Sequence, residues 1–166
     1  MKHFIVVLAI FLISSCESKD PVLLENNNIV PNVKLKSITD GTIVQVNEVS
    51  KGRELILFLF DPDCPFCNKQ IVEILDNIER LKQFQICLIT NADPEKTKNF
   101  YTSYSLDEYS NIDVLLDQDN RVATHYNIPG VPYILVYDKK MDFRKKIIGK
   151  EKLKTYSTKG IYFLSC

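Results

Sequence analysis

A nearly continuous apolar run, Leu55-Ile56-Leu57-Phe58-Leu59-Phe60, leads within four residues to Cys64-Pro65-Phe66-Cys67, and an amphipathic segment follows at once. Six apolar residues in a row are the pattern of a central strand buried on both faces. Over residues 68–84, Ile71, Leu75, Ile78 and Leu81 recur at spacings of four, three and three, which predicts a helix with one apolar stripe. A buried strand that delivers two cysteines to the first turn of a helix restricts the fold to one in which strand and helix pack together. It is also a way to build a reactive thiol. The exposed amides and the positive end of the helix favour a thiolate, and in such settings a cysteine pKa falls from ~8.5 to roughly 3.5–7.5. The spacing lets the second thiol close a disulfide with the first.

The same pair could bind zinc or form an inert staple. Structural zinc normally takes four ligands, and the chain has no second CxxC, while His3 and His125 stand far apart. Cys87 and Cys166 show no spacing of a zinc knuckle. A disulfide across a two-residue loop constrains the unfolded chain only weakly. Redox chemistry is the stronger reading for a pair set between a buried strand and a helix.

The chain has 166 residues, with 21 basic and 21 acidic side chains, so charge gives no argument for a nucleic-acid partner. Residues 1–15 read as a signal peptide: Lys2 and His3 precede ten apolar residues, Phe4 to Ile13, too few to span a bilayer. Ile13-Ser14-Ser15-Cys16 resembles the bacterial lipobox, which implies lipidation of Cys16 and a membrane anchor. Residues 16–29, polar and asparagine-rich, suit a tether. Export would place the remaining cysteines where disulfides persist. Cys87, inside Gln85-Ile86-Cys87-Leu88-Ile89, reads as a small buried hydrophobe.

Two short strands are expected at Pro31 to Lys36 and Ile43 to Val46, joined by a turn at Thr39-Asp40-Gly41-Thr42. Further strands are expected at Phe84 to Ile89 and Ile112 to Leu116, with a closing hairpin of Ile134 to Tyr137 and Phe143 to Ile148. Asp93 caps and Pro94 opens a second helix to about Tyr104, and Asp119 to Tyr126 forms a short third. The alternation predicts a mixed α/β domain.

These landmarks together resemble thioredoxin-like proteins, and within them the TlpA/ResA type related to AhpC/TSA proteins. The resemblance runs over residues 30–149. Val30-Pro31-Asn32-Val33-Lys34-Leu35 with Asp40-Gly41 is similar to that family's opening hairpin, and Leu55 to Phe60 before Cys64-Pro65-Phe66-Cys67 to its central strand and active site. Val114 to Asn120, with Tyr126-Asn127-Ile128, resembles the segment before the final hairpin. Gly130-Val131-Pro132 is similar to the loop with the cis-proline. An X-Pro bond costs only ~0.5–1 kcal/mol to hold in cis, against ~3 for other residues.

The resemblance implies a thioredoxin fold with a central mixed β-sheet flanked by helices, an N-terminal β-hairpin and an inserted α/β segment between Asn91 and Leu116. It implies a thiol–disulfide oxidoreductase whose redox-active disulfide joins Cys64, the nucleophile, and Cys67, the resolving thiol. Pro65 and Phe66 complete the motif. Val131, ahead of Pro132, would pair with an extended substrate segment. No cofactor and no metal are implied; the partners would be protein disulfide substrates and a redox partner protein, met in the periplasm, with reduction as the direction. A non-catalytic binding lipoprotein and a peroxiredoxin-like thiol reductant are the alternatives, although the threonine-and-cysteine signature of peroxide reduction is not visible around Cys64.

The chain also departs from the family. Thioredoxins usually carry Trp before the first motif cysteine; here Asp63 stands there, and an added carboxylate close to Cys64 would disfavour its thiolate. The buried acid that assists proton transfer in thioredoxin corresponds to Phe58. Asp61 and Asp63 are candidates for its role, with turn formation as their plainer use. His125 reads as a surface residue. Residues 150–166 form an atypical tail: Glu151 to Tyr156 could begin the family's final helix, but Ser157-Thr158-Lys159-Gly160 would break it. Without that helix one sheet face would lie exposed.

Overall fold

The computed structural model describes residues 29–150 and, as backbone, residues 152–155 and 161–164. The leader, the lipidation candidate Cys16, almost all of the tether and Cys166 lie outside the described residues. Along the chain come β1 (Lys34–Ser37), β2 (Ile43–Gln45), β3 (Glu54–Leu59), α1 (Pro65–Asp76), β4 (Phe84–Thr90) and α2 (Pro94–Ser103). Then follow β5 (Ile112–Leu116), α3 (Arg121–His125), β6 (Tyr133–Tyr137), β7 (Phe143–Ile148), β8 (Lys152–Thr155) and β9 (Ile161–Leu164).

Seven strands form one mixed sheet in the order β2-β1-β5-β4-β3-β6-β7. The central strands β3, β4 and β5 run parallel; β6 and β7 add antiparallel on one side, and the β1–β2 hairpin adds antiparallel to β5 on the other. Asp40-Gly41 makes the hairpin turn, with Gly41 at φ +72°, where a glycine costs little. The expected insertion is present as α2 and β5, and β5 is the strand that connects the hairpin to the parallel core.

Alternation along β3 divides the core. Ile56, Phe58 and Phe60 join Ile71 and Ile74 of α1 and Phe100 of α2 on one face. Leu55, Leu57 and Leu59 join Val30, Val122 and Tyr126 on the other. Both faces are covered, which is why β3 from Leu55 onward is an unbroken apolar run and why β4 is buried at every position, Gln85 and Thr90 included.

Two expectations are corrected. The helix after the motif stops at Asp76 instead of running to Phe84. Asn77 ends it by donating its backbone N–H to the Ile74 and Leu75 carbonyls, and its side-chain amide donates to the Glu73 carbonyl at 2.9 Å. Ile78 to Leu81 then forms a separate 3-10 turn that keeps Leu81 in the core. The tail does not start a helix: β8 and β9 pair antiparallel as a detached two-stranded sheet. β8 runs beside α1; Ile134 and Ile147, packed in the same cluster as Ile71 and Ile74 of α1, are fully buried.

Candidate active site

The loop from Asp61 to Asp63 turns the chain from β3 into α1. The Cys64 amide donates to the Asp61 carbonyl at 3.0 Å, and the Asp63 amide donates to the Asp61 carboxylate at 2.7 Å. Asp61 therefore forms the turn, the plainer of its two expected uses. Cys64 has extended backbone (φ −80°, ψ 113°) and is the N-cap of α1, with Pro65 at the first helical position. Its sulfur takes the place that a serine or aspartate oxygen holds in other caps: the Cys67 backbone N–H donates to Cys64 Sγ at 3.3 Å. A negative sulfur at this position gains from that donor and from the positive end of the helix.

The two thiols sit in contrasting surroundings. Cys64 is half-buried, whereas Cys67, one turn further, is fully buried among Phe58, Phe60 and Ile71. Burial, followed by the hydrogen bond with Cys64, pushes the Cys67 thiol up to about 12; the Asp61 backbone N–H acts in the opposite sense. Both are free thiols. Phe66, between them, is 60% exposed and presents its ring to solvent beside the nucleophile.

On the opposite flank the Val131–Pro132 peptide is cis. The Val131 carbonyl lies 3.9 Å from Cys64 Sγ, which donates to it as a thiol. The Gly149 amide donates to the Pro132 carbonyl at 2.8 Å and ties the loop to the end of β7. α3, which precedes the loop, is fixed by the buried Asp117 carboxylate, which accepts from the amides of Arg121 (2.8 Å) and Val122 (2.9 Å). A cavity of about 200 Å³ lined by Leu59, Phe60, Thr90, Ile128, Gly130 and Val131 lies at this side.

The acids of the motif loop have a partner that the sequence reading missed. Lys96, in the first turn of α2, places its Nζ 2.6 Å from Asp63 Oδ2. The pair borders a polar cleft of about 550 Å³ shared with Pro62, Asn68, Asn99 and Tyr104. An opposite charge at the start of the helix that follows β4 was the available signal, since parallel β3 and β4 bring the two loops to the same end of the sheet.

Other candidates lie elsewhere. Phe58 is fully buried with its ring centroid 5.9 Å from that of Phe60, so an apolar side chain fills the place of the thioredoxin acid. Cys87 is fully buried in β4 on the other face of the sheet, and burial raises its pKa. His125 Nε2 bonds the Ile29 carbonyl at 3.0 Å and its ring meets Tyr126 edge-on, so it anchors the N-terminal segment. Among the described residues no group of three or more His, Cys, Asp or Glu is arranged to hold a metal ion.

A half-exposed capping cysteine, a buried partner one turn on and a facing cis-proline define a thioredoxin-fold protein with a CxxC site. The chain belongs to the AhpC/TSA family, whose model matches residues 27–146. It is 27% identical over 116 residues to an uncharacterized protein of Haemophilus influenzae, covering 66% of this chain and 74% of the relative. Among solved structures it is similar to a secreted Mycobacterium tuberculosis disulfide oxidoreductase homologous to E. coli DsbE, with a TM-score of 0.59 and 20% identity over 72% of this chain and 84% of that one. It is also similar to the thioredoxin domain of a Bacteroides vulgatus thiol-disulfide oxidoreductase, with a TM-score of 0.61 and 21% identity over 73% and 86% of the two chains. Likenesses of this size establish the shared fold.

Proposed function

We propose that this protein is a thiol–disulfide oxidoreductase that reduces protein disulfides through Cys64 and Cys67. The carrying observation is the Cys67 N–H donated to Cys64 Sγ at 3.3 Å, with the Cys67 thiol itself buried. The Cys64 thiolate attacks one sulfur of the substrate disulfide; that S–S bond breaks, and the departing sulfur takes up a proton. Cys67 then loses its proton and attacks the Cys64 sulfur of the mixed disulfide, releasing the second substrate thiol. Two electrons pass to the substrate and Cys64–Cys67 is left oxidised. An external dithiol returns the pair to its starting state.

Val131 and Pro132 flank the nucleophile, and the Val131 backbone is the natural edge for an extended substrate segment. Reduction as the direction rests on the TlpA-type resemblance; it calls for a Cys64–Cys67 potential nearer that of thioredoxin, about −270 mV, than that of DsbA, about −120 mV. The test of the activity is insulin reduction with dithiothreitol as the electron source. The wild-type protein should accelerate it and Cys64→Ser should leave the uncatalysed rate; no acceleration by the wild type contradicts the proposal.

Export and anchoring belong to the same reading and rest on the sequence. Residues 1–15 serve as the signal peptide, Cys16 carries the lipid, residues 16–29 form the tether and residues 30–149 the working domain on the periplasmic side. Labelled fatty acid should enter the wild-type protein and not Cys16→Ser; equal labelling of both rejects the anchor.

A further inference from the structure

Building on the dithiol chemistry proposed above, we infer that Lys96 is a positioning residue for the nucleophile, its ammonium holding the Asp63 carboxylate so that this charge does not suppress the Cys64 thiolate. Asp63 directly precedes Cys64, and Lys96 Nζ meets its Oδ2 at 2.6 Å. The two side chains are 70% and 59% exposed, so the pair does little for the stability of the fold. Lys96 is also misplaced for its own helix, because a cation in a first turn faces the positive end of the macrodipole. Its surroundings explain the placement. The hydrogen bond and charge of Asp63 raise the Lys96 pKa first, and the charges of Asp61 and Asp93 add to the effect.

The charged and polar groups near the motif come from several elements. The loop brings Asp61 and Asp63, and α2 brings Lys96 and Asp93. α1 brings the Cys67 amide and thiol, and Lys69, whose Nζ lies 6.0 Å from the centroid of the Phe66 ring. The cis-proline loop contributes the uncharged Val131 carbonyl. In this set Lys96 is the cation that touches the carboxylate next to the nucleophile. Removing it leaves Asp63 unopposed, and a nearby negative charge disfavours the thiolate. The insertion that carries α2 thereby bears on the chemistry of the motif.

The test is the alkylation rate of Cys64 in the reduced full-length protein, followed by mass spectrometry of its peptide across pH. Near neutral pH, Lys96→Gln should slow alkylation by about two- to fivefold, the size of one exposed charge acting over several ångströms. The difference should vanish at alkaline pH, where the thiol is ionised in both proteins, and shrink at high salt. Lys96→Arg should keep the wild-type rate, and Asp63→Asn combined with Lys96→Gln should restore it. Lys98→Gln removes the same charge from the opposite side of α2 and should change nothing. A Lys96→Gln profile matching the wild type, or matched by Lys98→Gln, overturns the inference. Failure of the wild type to reduce insulin overturns the oxidoreductase reading instead, and the two results are separable because alkylation needs no substrate.

Discussion

The Cys67 backbone N–H donates to the Cys64 sulfur at 3.3 Å, so the first cysteine of the motif caps the helix that carries the second before any substrate arrives. A sulfur in an N-cap position keeps its charge near the helix end, and the same turn carries the resolving thiol inward. The geometry separates the roles of two chemically identical side chains by exposure.

That separation should appear in alkylation. At pH 8 iodoacetamide should modify Cys64 quickly and leave Cys67 and Cys87 unmodified in the folded, reduced protein, since both are fully buried. Peptide mass spectrometry reads the result. Equal labelling of Cys64 and Cys67 contradicts it.

The buried thiols also set a pH dependence. Folding raises Cys67 from its ordinary 9.0 to about 12, so the folded state holds this proton more tightly than the unfolded chain. The corresponding stability is fully present below pH 9 and is lost as pH rises from 9 towards 12, where the unfolded chain ionises first. Cys87 acts in the same direction. Urea midpoints of the reduced protein should therefore fall from pH 8 to pH 10.5, and less steeply in Cys87→Ala. A flat profile contradicts the burial assigned to these thiols.

Phe58 replaces an acid with packing. Its ring is fully buried between β3 and α1, so Phe58→Ala should cost ~3–5 kcal/mol by the loss of contacts and the cavity left behind. Chemical denaturation should show a lower midpoint with an unchanged slope.

Asp117 holds the element that leads to the cis-proline loop. Asp117→Ala frees two amides, the part-buried one of Arg121 and the buried one of Val122, and should destabilise the protein by about 1–3 kcal/mol. Asp117→Asn, which retains one carbonyl acceptor, should lie between the two in a thermal melt.

Phe66 should contribute to docking of protein substrates because its ring is exposed beside Cys64. Phe66→Ala should slow attack on a protein disulfide by about fivefold, the worth of ~1 kcal/mol of apolar contact. The rate with a small aromatic disulfide and the melting temperature should hardly change.

Much of this architecture is legible in the chain because strands buried on both faces are rich in apolar residues: Leu55 to Phe60, Phe84 to Ile89 with one glutamine and Ile112 to Leu116 with one aspartate match β3, β4 and β5 closely. Asp93-Pro94 marks the start of α2 for a local reason, since a capping carboxylate and a first-turn proline act within four residues. The end of α1 is not legible, because Ile78 and Leu81 in a 3-10 turn keep the three-residue spacing that a helix would show. Lys152-Leu153-Lys154-Thr155 alternates as a strand does, yet four residues are too short to separate the two periods. In the site, the cysteines and Pro132 follow from motif and order. The Asp63–Lys96 contact joins residues 33 apart, and only the parallel pairing of β3 with β4 brings them together.

The most direct measurement is capture of a disulfide substrate by Cys67→Ser. Mixed with a disulfide-bonded protein such as insulin, this variant should form a covalent adduct through Cys64, visible by intact mass, stable without reductant and released by dithiothreitol. Cys64→Ser should form none. No adduct with Cys67→Ser, or an adduct that persists when Cys64 is also replaced, contradicts Cys64 as the attacking thiol and Cys67 as the group that resolves it.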